Sequence, residues 1–259
     1  MLTDLQKRTI QAIVNVFETG KPAGDYANVT LLPGDAGHLT YGRSQTTLAS
    51  GNLCRLIEDY CAAAAGSTAA DLLAYLPRLA APDLTLDGDA AFRALLRQAG
   101  ADPVMHRVQD EFFDRAYWEP SLRAAQHVGL DTPLATAVVY DSFIHGAWKR
   151  IHDATTAQLG LPSASGASAA TTDERVWVRE YIALRRDWLA THPNPVLRRA
   201  VYRMDTFAAL AEAGNWELAL PVVAHGVTID EPALAGNGRS QLATASLAAA
   251  GDANSKSAG

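Results

Sequence analysis

Apolar positions recur every three or four residues through most of the chain, and the interruptions are few and local. In residues 3–17, TDLQKRTIQAIVNVF, the side chains of Leu5, Ile10, Ile13, Val14 and Phe17 share one helical face. Thr3 or Asp4 supplies the cap. Gly20, Lys21, Pro22 and Gly24 follow in quick succession, so this helix stops near Gly20 with Glu18 in its last turn. Residues 25–52 break the rhythm: short β-branched stretches alternate with turn signals at Pro33-Gly34, Gly37, Gly42 and Ser50-Gly51. They predict a small irregular sheet or extended loops, with Asp35 in the tightest turn. From Leu53 onward the period is helical again, over 53–64, 68–76, 88–98, 101–116, 119–128, 132–148, 173–191, 195–213 and 215–223. Pro77, Pro82, Gly100, Pro120 and Pro133 mark breaks or first turns. The small, polar run LPSASGASAATT at 161–172 reads as a flexible connection. Residues 231–259 read as an extension, partly disordered over the low-complexity stretch 235–259. The pattern predicts a mainly helical fold over 1–230 with one short β segment near its front.

Composition narrows the function classes. A chain of 259 residues, 48% apolar, buries a substantial core as one domain or as two lobes around a cleft. Its net charge of -6 and lack of a Lys/Arg stripe argue against nucleic-acid binding. No apolar run reaches membrane-spanning length, and the first ten residues lack the apolar core of a signal peptide. Cys54 and Cys61 are the only cysteines. On one helix they stand about 10 Å apart along the axis, too far for a disulfide, and two thiols alone make a poor metal site. Buried structural thiols are expected, with no metal and no cofactor.

Four groups of residues bear on chemistry. Glu18, at a helix end beside Phe17, and Asp35, after a Pro-Gly turn, are the pair that glycosidic cleavage needs: one acid for the departing oxygen, one carboxylate for water or an intermediate. Desolvation beside an aromatic ring suits a carboxyl to the acid role. With 28 acidic residues in the chain, local pattern alone does not single this pair out from solvated surface groups. Asp141 and His145 lie one turn apart in the apolar stretch AVVYDSFIHGAW at 137–148, and an Asp–His hydrogen bond tying two helices together is the expectation. Arg185, Arg186 and Arg203 sit among apolar and aromatic neighbours, where a buried guanidinium calls for carboxylate partners, so that Arg203 and Asp141 fit one network, while Arg185 or Arg186 reads equally as a surface arginine on an amphipathic helix. Tyr26, Tyr41, Tyr117, Trp118 and Trp148 are available to line a sugar groove, although most aromatics in such a chain belong to the core.

Taken together, FETG at 17–20, PGDAGHLTYG at 33–42, QDEFFDRAYWEP at 109–120, AVVYDSFIHG at 137–146, YIALRR at 181–186 and YRMDTFAALAEAGNWEL at 202–218 resemble glycoside hydrolase family 46, the endo-chitosanases of the lysozyme-like superfamily. The likeness covers residues 1–230. It implies two mostly helical lobes enclosing a cleft, with the β segment beside it. It implies Glu18 as general acid, Asp35 as general base activating water with inversion, and Thr40 as the hydroxyl that helps place this water. Arg203, Asp141 and Arg185 then form a buried charge network running back to Glu18. The substrate implied is a β-1,4-linked aminosugar polymer such as chitosan, met outside the cytoplasm, secreted or periplasmic, by a monomer. There is one departure. Where the family has an aspartate that holds a glucosamine amine, this chain has Asn52, and the loop before it introduces Arg43. An uncharged amide suits an N-acetylated unit, which keeps open a peptidoglycan-cleaving muramidase; a catalytically inactive carbohydrate-binding relative is the third alternative. Asn52, Arg43, Tyr41, Tyr26 and His145 are the expected substrate contacts.

Overall fold

The computed structural model describes residues 2–43, 46–161 and 173–234. The expected connection beyond Leu161 and the low-complexity stretch 235–259 lie outside the described residues. Helix α1, Asp4–Thr19, opens with a capping box in which the Thr3 hydroxyl accepts from the Gln6 amide and the Gln6 side chain accepts from the Thr3 amide. It ends where Gly20 takes a left-handed conformation and its N–H returns to the Val16 carbonyl, a turn that glycine adopts without a Cβ clash. Strands β1, Val29–Thr30, β2, Thr40–Tyr41, and β3, Thr46–Thr47, then form an antiparallel sheet in chain order. Thr40 lies opposite Thr30 and Thr47.

Helices α2, Asn52–Ala63, α3, Ser67–Leu73, α4, Leu76–Ala80, α5, Ala90–Ala99, and α6, Pro103–Phe113, with a 3-10 turn at Leu84–Gly88, complete a small lobe. Its core packs Tyr41, Leu53, Ile57, Phe92 and Phe113. A π turn at Asp114–Trp118 leads without a break into α7, Glu119–His127. The remaining elements are α8, Pro133–Ile144; α9, Trp148–Gln158; α10, Glu174–Thr191; α11, Pro195–Arg198; α12, Val201–Glu212; and a hairpin of β4, Val222–Ala224, with β5, Val227–Ile229. With α1 they build the large lobe, whose core packs Ile13, Val138, Trp177, Tyr181 and Phe207. At its centre runs α8, in which every residue from Pro133 to Ser142 is buried. A helix apolar on all sides belongs inside the protein, and each fully buried Leu or Val there contributes about 1.5–3 kcal/mol of transfer free energy. Tyr117, in the π turn, packs against both cores.

The expected β segment and most of the helices occur near their predicted places. Four differ. The stretch read as one helix over 195–213 is two, α11 and α12, separated at Arg199–Ala200. The stretch 215–223 is a turn followed by β4 rather than a helix. The helix expected over 132–148 stops at Ile144, because Gly146 and Ala147 both take positive φ and redirect the chain. Trp148 then begins α9, which the apolar period misses because only Ile151 and Thr155 are buried in it. Both cysteines lie on α2 as free thiols; Cys54 is buried and Cys61 half-buried.

Candidate active site

A cleft of about 420 Å³ opens between α1, the β segment and the α11–α12 region. Glu18 and Asp35 both line it, together with Thr40, His145 and Arg203. The end of α1 delivers Glu18. At a helix C-terminus the last carbonyls lack intrahelical partners, and here the Tyr202 hydroxyl donates to the Phe17 carbonyl at 2.9 Å. The Phe17 ring meets Tyr202 and Phe207 edge-on, at 5.7 and 5.6 Å between centroids, so the residue before Glu18 is fixed through both its backbone and its ring.

Behind Glu18 runs a chain of charges. Arg203 Nη2 donates to Glu18 Oε1 at 2.6 Å, and its Nη1 donates to Asp141 Oδ1 at 2.7 Å. Arg185 Nη2 stands 3.6 Å from Asp141 Oδ2, and Arg185 Nη1 donates to the Gly146 carbonyl at 2.7 Å. Asp141 and Arg185 are wholly buried and Arg203 nearly so. Burial works against the Arg203 charge, but Glu18 and Asp141 outweigh it and hold the guanidinium pKa above its ordinary value. The Phe17 ring adds a cation–π contact, 5.3 Å from the Arg203 guanidinium carbon. Alternating positive and negative groups thus let one buried cation serve a carboxylate at the cleft surface.

The hydrogen bond expected between Asp141 and His145 does not form, because the Asp141 carboxylate is taken by the two arginines. The His145 ring instead lies beside Arg185, with Nδ1 3.4 Å from Nη2. A guanidinium only donates, so Nδ1 accepts and the imidazole is neutral. Burial first, then the charges of Arg203 and Arg185, hold the His145 pKa well below its usual value. An unfolded imidazole takes up its proton near pH 6.5, whereas this one does so only at lower pH. His145 therefore costs stability progressively as pH falls from that point toward the folded pKa. We expect the ring signals of His145 not to titrate between pH 8 and 6, and His145→Gln to lessen the acid sensitivity of the melting temperature. A ring that titrates near pH 6.5 contradicts this.

Asp35 comes from the loop between β1 and β2. Its Oδ1 accepts from the Gly37 amide at 3.0 Å, and its own amide donates to the Leu32 carbonyl at 3.1 Å. Thr40 starts β2, with its hydroxyl against that of Thr30 and its side chain on the cleft.

The structure relocates several expected substrate contacts. Tyr41 follows Thr40 on the strand and so points to the other face, wholly buried in the small-lobe core. Arg43 is also buried: its guanidinium pairs with Asp110 at 3.1 Å and lies over the Phe113 ring. Tyr26 donates to Asp110 at 2.9 Å and stacks on His106, and burial pushes its pKa up to about 12. Tyr26 and Arg43 share Asp110 as a brace in the small lobe, and neither they nor Tyr41 lines the cleft. Asn52, the first residue of α2, donates through Nδ2 to the Tyr117 hydroxyl at 2.9 Å. It opens onto a second recess of about 360 Å³, bordered by Arg55, Glu58, Asp59, Phe112, Arg115 and Ala116. Burial, helped by the Glu18 charge, raises the Tyr117 pKa against the hydrogen bond from Asn52. The sequence reading missed Tyr202 and the apolar walls, Leu32 and Pro33 on one side, Val196 and Leu197 on the other. Apolar side chains left beside a cleft carry no sequence signal that separates them from core residues.

Comparison with known proteins agrees with this architecture. The chain is 27% identical to the chitosanase of Bacillus subtilis (strain 168) over 224 residues, covering 84% of this chain and 80% of that protein. The native chitosanase of Bacillus subtilis MY002 superposes with a TM-score of 0.77 at 25% identity, over 89% of this chain and all of that one. The chitosanase of Gynuella sunshinyii, solved with chitotetraose, gives 0.77 at 24% identity over 88% of this chain and 98% of its own, a likeness of fold. The helical two-lobed frame with its small sheet is thus the fold of those chitosanases. Residues 12–222, which include both cleft carboxylates and the whole buried charge network, match the model of glycosyl hydrolase family 46; the chain belongs to that family and is a glycoside hydrolase.

Proposed function

We propose that this enzyme is an endo-acting chitosanase that cleaves β-1,4 linkages of a glucosamine polymer with inversion. The observation that carries the reading is the pair of cleft carboxylates with unlike surroundings. Glu18 is held against a buried guanidinium, and Asp35 stands on a loop held by amide groups. Glu18 protonates the departing oxygen. Negative charge then develops on its carboxylate directly beside Arg203, a preorganised cation that needs no reorganisation during the reaction. Asp35 takes a proton from the attacking water, which the Thr40 hydroxyl helps to place. The proton lost by Glu18 to the leaving group is balanced by the proton gained by Asp35, and exchange with solvent restores both. The chitosanases similar to this chain support the choice of polymer. A polymeric substrate of this kind is met outside the cytoplasm, which supports a secreted or periplasmic enzyme; we take residues 1–230 as its catalytic unit, acting as a monomer.

One feature favours a second reading. Asn52 and Tyr117 form a neutral hydrogen-bonded pair, which offers an acetamido group as much as it offers an amine. An acetylated chain, peptidoglycan included, is the substrate in that case. Separate incubation with chitosan and with purified peptidoglycan decides between them, and NMR of the first products gives the anomeric configuration. We expect shortened chitosan oligomers appearing first as α-anomers and no peptidoglycan release. Peptidoglycan cleavage without chitosan cleavage rejects the substrate, and initial β-anomers reject the direct attack of water.

A further inference from the structure

The loop that carries Asp35 is gripped from across the small lobe by a residue distant in sequence. Asp87 lies in the 3-10 turn Leu84–Gly88, directly after Leu86, which is wholly buried in the small-lobe core. One oxygen of its carboxylate, Oδ2, is 2.8 Å from His38 Nδ1; the other, Oδ1, accepts from the Leu39 amide at 2.9 Å. A carboxylate only accepts, so His38 Nδ1 carries a proton and the ring tautomer is set by this contact. His38 adopts a φ of +60°, a left-handed conformation that costs a non-glycine residue free energy and persists only where its surroundings impose it. The same short segment is confined on its other side. A Cβ at Gly37 would come within 2.7 Å of Thr47 Cγ2, and the Gly37 amide is the donor to Asp35 Oδ1. The His38 amide donates to the Asp35 carbonyl at 3.3 Å, and the next residue after Leu39 is Thr40. Both oxygens of Asp87 therefore act between the carboxylate that faces the cleft and the hydroxyl that lines it.

We propose that Asp87 is a positioning residue for the reaction: it clips His38 and Leu39 so that Asp35 and Thr40 present their side chains to one water. The inference rests on the reading of Asp35 as the general base. Asp87 itself is not among the residues that line the cleft, so it acts through the loop and not on the sugar. A reacting group misplaced by about 1 Å costs up to about 100-fold in rate, which sets the scale of the effect.

Steady-state kinetics of the full chain on soluble chitosan test this. For Asp87→Ala we expect kcat to fall about 10- to 100-fold with KM within about twofold, and the acidic limb of the kcat/KM profile, which reports the base, to move. Asp87→Asn keeps an oxygen for the Leu39 amide and a polar group beside His38, and should retain kcat within about threefold. If Asp87→Ala does not fold, His38→Gly, which removes one contact and suits the positive φ, is read by the same criteria. A folded Asp87→Ala with wild-type kcat and pH profile overturns the proposal, as does a loss that appears in melting temperature alone. Asp35→Asn, assayed beside it, separates the two ways of failing. If Asp35→Asn is active, the base assignment falls and the clip with it; if it is inactive while Asp87→Ala is unimpaired, only the clip falls.

Discussion

Glu18→Gln should lower kcat on chitosan by about 100- to 10,000-fold, the range that a positioned proton donor contributes, while leaving KM within a few-fold. The substitution removes the transferable proton and little else. An amide oxygen at the same place still accepts from Arg203 Nη2, which donates to Glu18 Oε1 at 2.6 Å. Arg203 also keeps its 2.7 Å bond to Asp141, so the guanidinium is not stranded. The carboxylate of Glu18 is largely but not wholly buried, 13% exposed, and the loss of that ion pair should cost only about 1–3 kcal/mol. Rate and stability are therefore separable in this variant: a large fall in kcat accompanied by a melting temperature only roughly 3–8 °C below wild type. Activity within tenfold of wild type in a folded Glu18→Gln would reject Glu18 as the acid.

The same residues show how far the sequence could be read. The end of α1 was legible because Gly20 and Pro22 stop a helix for local reasons, and that placed Glu18 in the last turn. The identity of the buried charges was half legible: arginines among Val, Leu and Tyr require carboxylates, which pointed to Asp141. Which nitrogen meets which oxygen depends on how α8, α10 and α12 pack, and the Asp141–His145 bond suggested by helical spacing lost to two arginines from other helices. Thr40 and Tyr41 make the limit sharper. They are adjacent, and a strand sends adjacent side chains to opposite faces, so one lines the cleft and the other is buried. Without the register of the sheet, the choice between them is not decided by sequence pattern. Asp87 was invisible for another reason: its partners are 48 and 49 residues away, and nothing local marks a 3-10 turn as the support of a distant loop. Helix α9 escaped because its buried face amounts to Ile151 and Thr155.

The buried end of the network carries the largest expected effect on stability. Asp141→Asn should destabilise the fold by about 3–5 kcal/mol, the usual cost of removing one member of a buried charge pair, and lower the melting temperature by roughly 10 °C. Asp141 is wholly buried and is the anion shared by Arg203 at 2.7 Å and Arg185 at 3.6 Å. An asparagine oxygen can still accept from one guanidinium. Its amide must then turn a donor toward the other, and Arg185 is left with only the Gly146 carbonyl and the His145 ring. The interior gains a positive charge that it cannot pass to water. Activity should fall as well, because Arg203 is no longer held from behind as it serves Glu18. A double-mutant cycle shows whether charge balance is the cause: Arg185→Met removes the surplus cation, so Asp141→Asn combined with Arg185→Met should be less unstable than the two single losses added together, by about 1 kcal/mol or more. Simple additivity would mean that Asp141 supports the fold through packing, and that the cation behind Glu18 does not depend on it.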